Sequence, residues 1–529
     1  MPAIRPRTAW MTGVLTSAVA ASLLAGAPAH AVVGEKAKDG TYAFTAKLDI
    51  GGGQRSCSAA LVEQQWLVTA ASCFADNPAQ DLKVPAGAPK LKTTATVGRT
   101  DLTRDNGSVV DVVELVPRDD RDLVLARLAA PVAGVTPTGI GFSAPLPGEE
   151  LWVAGYGRTK DEWVPDRLHY ARFGLEAVKG TTLGLSGKSG DAVVCQGDTG
   201  GPAFRDIGGR YELVGVNSTS GQAGCFGSDE SETRKNAVDT RVDDIAAWIQ
   251  ATVSRDVLPR ANWKNAAHMA SGYFTGQSAG SKRRMDLFVV WNDGSASLYQ
   301  GADHNDPKYP YSTEYKVAPA GSYWKDARAV TGGSFTGTGS DGITVRWASG
   351  KLSTYTHVDQ NGFHDEKALA YSDTWKRARL ITAGRYTDNP LRDDLLVLWD
   401  NGSTSMYSDT DANLVGKESQ LTNADPSWTE AAQISSGEFT GGRTADLVIR
   451  WNDGNTSLFP GVDTTGYHGR IRIRPDKSAW KDAQILTVGS FTAASNRPND
   501  ILIRWRSGYL SYYPGVDANG THGEVQLVG

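Results

Sequence analysis

Between residue 261 and residue 529 one pattern recurs five times: a tryptophan, an alanine about three residues on, Gly-x-Phe/Tyr-Thr, then Asp-Leu/Ile/Gly, then Trp-x-x-Gly and a Leu/Met and Tyr/Phe strand. The first tryptophans are Trp263, Trp324, Trp375, Trp428 and Trp480, and the second are Trp291, Trp347, Trp399, Trp451 and Trp505. Their spacing of about 52 residues holds four short strands and their turns, the size of one β-propeller blade. Ten of the chain's 15 tryptophans fall in these two columns. An aromatic residue repeated in register is first a packing residue, and a sugar platform is the lesser reading. Variation between the copies is the better marker of binding. One such variation is the insert Asp303 to Ser322 with Tyr309, Tyr311 and Tyr315, which reads either as a binding loop or as a disordered tip.

The chain of 529 residues is long enough for two or three domains, each with its own core. Arg5 and Arg7, an apolar run from about Trp10 to Ala27 and the cleavage signal Ala29-His30-Ala31 read as a secretory signal over residues 1–31. Export is therefore expected. No later stretch is long and apolar enough to serve as a membrane anchor. A net charge of −5 and the absence of a basic stripe argue against nucleic acid as a partner. Four cysteines in an exported chain favour disulfides over thiol catalysis or a zinc site. The divisions expected are 32–253 for a first domain, 254–260 for a linker and 261–529 for the propeller.

Within the first domain, Cys195-Gln196-Gly197-Asp198-Thr199-Gly200-Gly201-Pro202 resembles the nucleophile loop of trypsin-like serine peptidases, with Thr199 where that family carries serine. Leu67-Val68-Thr69-Ala70-Ala71-Ser72-Cys73 resembles the family's general-base segment, with Ser72 at the histidine position. Asp122, in Asp119-Asp120-Arg121-Asp122-Leu123-Val124-Leu125, takes the place of the catalytic aspartate. Val153-Ala154-Gly155-Tyr156-Gly157 and Leu213-Val214-Gly215-Val216-Asn217-Ser218 resemble the turn that opens the second barrel and the strand that lines the pocket. The resemblance runs from Val32 to Val253 and implies a double six-stranded β-barrel, so the whole chain is expected to be all-β. It also implies the bridges Cys57 with Cys73 and Cys195 with Cys225, and an oxyanion hole from the N–H groups of Gly197 and Thr199. Cleavage after Ala31 would free Val32, whose α-ammonium the resemblance pairs with Asp198. N-terminal sequencing of the secreted chain should start at Val32; any other first residue removes that pairing.

Serine catalysis needs an imidazole to take the hydroxyl proton and an aspartate to orient it. The Ser72 hydroxyl does not deprotonate near neutral pH, and His169, the one histidine of the expected mature barrel domain, aligns with a barrel-wall strand. The extra methyl of Thr199 restricts its rotamer and takes substrate space. Selectivity for basic residues in the family needs a carboxylate where this chain has Val193. The pocket, assigned to Val193, Ser218 and Ser220, is therefore expected to be apolar at its base, either taking a small side chain or filled by the valines.

The repeats resemble FG-GAP or VCBS-type blades, on Gly333-Ser334-Phe335-Thr336-Gly337 and Asp446-Leu447-Val448-Ile449-Arg450-Trp451-Asn452-Asp453-Gly454. Such families often hold calcium in an Asp-x-Asp-x-Asp-Gly loop, and this chain lacks that ring of carboxylates. No cofactor and no metal are expected. Two functions compete: a secreted binding protein with a disabled peptidase domain and a propeller that docks protein, peptide or glycan, or a hydrolase that uses Thr199 in a weakened site.

Overall fold

The computed structural model describes residues 34–275, 284–302, 306–337, 340–387, 389–411, 413–492 and 497–529, so Val32 and the leader-like segment lie outside the described residues. The first barrel is built from β1 (Thr45–Ile50), β2 (Arg55–Glu63), β3 (Trp66–Thr69), β4 (Thr93–Val97), β5 (Ser108–Arg118) and β6 (Leu123–Leu128). These close in the order β1-β2-β3-β6-β5-β4. Closure leaves no strand edge unpaired. The alternation in β4, where Thr93, Ala95 and Val97 are buried and Thr94 and Thr96 less so, shows how a period of two points one set of side chains into the barrel.

The second barrel uses β7 (Glu150–Gly155), β8 (His169–Lys179), β9 (Thr182–Gly187), β10 (Pro202–Ile207), β11 (Arg210–Ser220) and β12 (Ala237–Arg241). It closes through β8-β9-β12-β11-β10-β7 and back to β8. A helix that closes this domain, α1 (Ala246–Val253), packs Ile249 and Val253 into the first barrel's core and buries Ala246 as well. The disulfides Cys57–Cys73 and Cys195–Cys225 form as the resemblance implied.

The propeller has five blades, each a four-stranded antiparallel sheet. Their innermost strands, 266–272, 327–333, 378–384, 431–437 and 483–489, touch in sequence, and the last touches the first. Trp263, Trp324 and Trp480 of the first column are almost wholly buried. In the second column the indole N–H of Trp291, Trp347, Trp399 and Trp505 donates to a serine hydroxyl six residues on, at 2.8–3.0 Å. Both columns are packing residues. The repeated aspartate is structural as well: Asp446 accepts from the N–H of Phe439, Thr440 and Gly461, and Asp500 from Phe491, Thr492 and Gly515, all within 2.8 Å. Each such carboxylate knots the Gly-x-Phe-Thr loop to the end of the blade's third strand.

One expectation needs revision. The tyrosine-bearing insert supplies the outer strand of the first blade, Tyr311–Ala318, with Tyr311 buried in the core; its residues 303–305 lie outside the described residues. In the stretch 254–260, read from sequence as a linker, Val257 and Leu258 are buried in a cluster shared with the first and last blades. Arg260 grips the buried carboxylate of Glu63 on β2 with two hydrogen bonds of 3.0 and 2.9 Å, and Asp256 accepts the indole N–H of Trp66 at 3.2 Å. These contacts dock the propeller onto the first barrel.

Candidate functional site

The site forms where the two barrels meet. β3 ends at Thr69 and turns through a short 3₁₀ segment, Ala71–Cys73, whose last residue is pinned to β2 by its disulfide. This holds Ser72 over Asp122, which lies just before β6 and is buried. Asp122 accepts three hydrogen bonds: from the Ser72 N–H at 2.7 Å, the Ser72 hydroxyl at 2.9 Å and the Ser218 hydroxyl at 2.7 Å. The Thr240 hydroxyl bonds the main-chain carbonyl of Asp122 at 2.9 Å. Ser218, read from sequence as a pocket residue, thus turns its hydroxyl to the aspartate.

Thr199 sits half-buried on the loop before β10, and its carbonyl accepts from the Ser58 N–H at 2.9 Å. The loop's shape rests on two glycines in the left-handed region, Gly197 at φ +99° and Gly200 at φ +85°. A side chain at Gly200 would strike Thr69 and Ser58, so this glycine is required by contact as well as by conformation. The N–H groups of Gly197 and Thr199 donate to no other described residue, which leaves the two oxyanion donors of the resemblance available.

Asp198 points inward, accepting from the N–H of Gly157 at 2.7 Å and of Cys195 at 2.9 Å. Burial pushes its carboxyl up to about 7, the two N–H groups offsetting part of the cost. The glycine bracket Gly155-Tyr156-Gly157 follows from this side chain: a Cβ on Gly155 would collide with the carboxylate, and one on Gly157 would lie 2.5 Å from its Cγ. Its sequence-expected partner, Val32, is outside the described residues.

In the pocket region Val193 is wholly buried and packs with Cys195 and Cys225. The Ser220 hydroxyl donates to the Val194 carbonyl at 2.5 Å. Sequence reading missed the neighbouring pair Asn217 on β11 and Asp239 on β12, which stand opposite each other in the ladder. Both are fully buried, and both oxygens of Asp239 and the side-chain oxygen of Asn217 lack a hydrogen-bond partner among the described residues. Burial alone raises the Asp239 carboxyl to about 8, so at neutral pH it is largely protonated. The signal was present in the sequence, since Asp239 interrupts an otherwise apolar strand start, Ala237-Val238. His169 is buried at the first position of β8, opposite Gly155.

Residues 31–249 match the family described as Trypsin. The chain is 27% identical over 220 residues to the platelet-aggregating proteinase PA-BJ of Bothrops jararaca, covering 37% of this chain and 84% of that protein. It is 28% identical over 231 residues to chymotrypsin-like elastase family member 1 of Macaca fascicularis, covering 38% and 79%. With the CLIP domain-containing serine protease B15 of Anopheles gambiae it shares 27% over 228 residues, covering 35% and 60%. The N-terminal domain is therefore trypsin-like in fold and in relatives, joined to a five-bladed propeller.

Proposed function

We propose that this chain is an exported trypsin-like protein without useful peptidase activity, which acts by binding through its cleft and its propeller. The observation that supports this most is the hydrogen bonding around Asp122. In a working triad that carboxylate holds an imidazole, which in turn accepts the nucleophile's proton. Here the Ser72 N–H and hydroxyl and the Ser218 hydroxyl occupy it, and Ser72 offers no base to Thr199. A hydroxyl with no adjacent base is a poor nucleophile.

The alternative reading, a hydrolase using Thr199, rests on the two available N–H groups of the proposed oxyanion hole, where loss of a single donor in related chemistry costs about 3 kcal/mol. Hydrolysis of a panel of peptides and p-nitrophenyl esters separates the readings. The wild type and Thr199→Ala are expected to give the same rates, close to the uncatalysed reaction. Clear wild-type turnover that disappears in Thr199→Ala would establish the hydrolase instead.

A further inference from the structure

The second and fifth blades depart from the other three in the same places, and each departure opens onto a cavity. In the other blades the turn after the second tryptophan reads Trp291-Asn292-Asp293-Gly294, Trp399-Asp400-Asn401-Gly402 and Trp451-Asn452-Asp453-Gly454. In the second and fifth it reads Trp347-Ala348-Ser349-Gly350 and Trp505-Arg506-Ser507-Gly508. Two residues after the first tryptophan these same blades carry Asp326 and Asp482, where the others carry Asn265, Arg377 and Glu430. Each pair of aspartate and serine borders a cavity with the blade's second tryptophan: about 610 Å³ in the second blade and about 1080 Å³ in the fifth. Glu366 and Glu524, at matching positions beside the outer strand, complete the two walls.

The larger size in the fifth blade has a cause. The residue after the turn glycine is Phe363 in the second blade and Tyr467 in the fourth, and each ring covers its blade's first tryptophan, at 4.6 Å from Trp324 and 4.9 Å from Trp428. The fifth blade has Thr521 there, which has no ring to fill that space. Arg474 enters from the fourth blade in its place, lying 5.2 Å over Trp480 and 5.3 Å over Tyr513 and donating to the Thr521 hydroxyl at 2.5 Å. At the equivalent outer-strand position the other blades carry Ala318, Ala370, Thr422 and Val528. Tyr509, also peculiar to this blade, stands where Ser295, Lys351, Ser403 and Asn455 stand elsewhere. Thr521, Tyr509 and the Arg506-Ser507 turn of the fifth repeat, with Arg474 of the fourth, converge on one cavity and are not needed to stack blades.

We propose that these two cavities are saccharide-binding sites. The half-exposed Trp505 and Tyr509 supply aromatic surface for the C–H face of a sugar ring, while Asp482, Arg506 and Arg474 at the wall suit its hydroxyls as acceptor and donors. In the fifth-blade cavity charge is balanced, Arg474 and Arg506 against Asp482 and Glu524 with Arg506 3.5 Å from Asp482, while the second sets Lys351 against Asp326 and Glu366. Neither wall carries net positive charge to select a phosphate, which favours an uncharged ligand. Two like sites separated by one blade suit a ligand that repeats its units, as a polysaccharide does, because the second contact then forms at high effective concentration. This rests on the binding reading above and names its ligand class.

The test uses the full mature chain on an array of neutral and uronate-bearing oligosaccharides, with the best ligand then titrated by tryptophan fluorescence. Thr521→Tyr with Tyr509→Ser installs residues that other blades already carry, which keeps the fold, and Asp326→Asn with Lys351→Ser does the same in the second blade. Each pair is expected to weaken binding about tenfold or more, and the four changes together to return the array to background with an unchanged melting temperature. A blank array overturns the proposal, as does saccharide binding that survives all four changes, or binding found only on a peptide array. None of these outcomes bears on the barrel's lack of turnover, which ester hydrolysis reads separately.

Discussion

A Ser72→His/Thr199→Ser double variant is expected to hydrolyse p-nitrophenyl esters about 10³-fold faster than the wild type, while each single change stays within about tenfold of it. The asymmetry follows from how a triad works: nucleophile, base and orienting carboxylate act as one unit, so restoring one member alone recovers little. Asp122 is buried and faces residue 72, and the N–H groups of Gly197 and Thr199, the proposed oxyanion donors, are unused by other described residues. An imidazole at position 72 would take over the carboxylate contact that the Ser72 hydroxyl now makes at 2.9 Å. Steady-state rates on the same ester panel check this. A folded double variant as slow as the wild type would mean that the shape of the cleft, and not its missing groups, prevents turnover, and the proposed reason for inactivity would fall.

Asp239→Asn is expected to stabilise the protein at pH 8 by several kcal/mol and to change it little at pH 4. The Asp239 carboxyl is raised from its ordinary value of 3.8 to about 8 by burial. Between those values the folded state binds a proton that the unfolded state has released, so stability falls as pH rises through this window. A shift of that size corresponds to a penalty on the order of 5 kcal/mol once the pH exceeds the folded value. Asparagine keeps the shape and cannot ionise. Asp198, raised in the same direction, contributes equally to both proteins and cancels in the comparison. Urea unfolding of wild type and variant at pH 4, 6 and 8 gives the difference curve; one that is flat with pH removes Asp239 as the source.

Much of this architecture was legible because local pattern carried it. The five-fold register of tryptophans required a propeller whatever the turns contained, and the nucleophile-loop and cysteine segments placed a double barrel before it. Ser72 and Thr199, the proposed degenerate triad positions, stand inside otherwise intact motifs. Less legible were roles that depend on which strands lie side by side. Ser218 reads as a pocket residue in a strand motif, and only the approach of β11 to Asp122 shows that its hydroxyl also bonds that carboxylate. Asp239 and Asn217 are 22 residues apart and meet only because β11 and β12 pair in that register.

The segment 254–260 shows the same division. It reads in sequence as a linker containing Pro259, while Val257, Leu258 and the Arg260–Glu63 pair fix it against both domains. Sequence by itself determined the two architectures, because repeats and motifs a few residues long carry them, and the family resemblance of the segments around the cysteines gave the two bridges. Tertiary structure alone decided the partners of Asp122, the buried Asp239 and the cavities of the second and fifth blades, because each arises from side chains that strand pairing and blade stacking bring together across tens of residues. Burial then sets their charge and their contacts, and burial belongs to the folded chain as a whole.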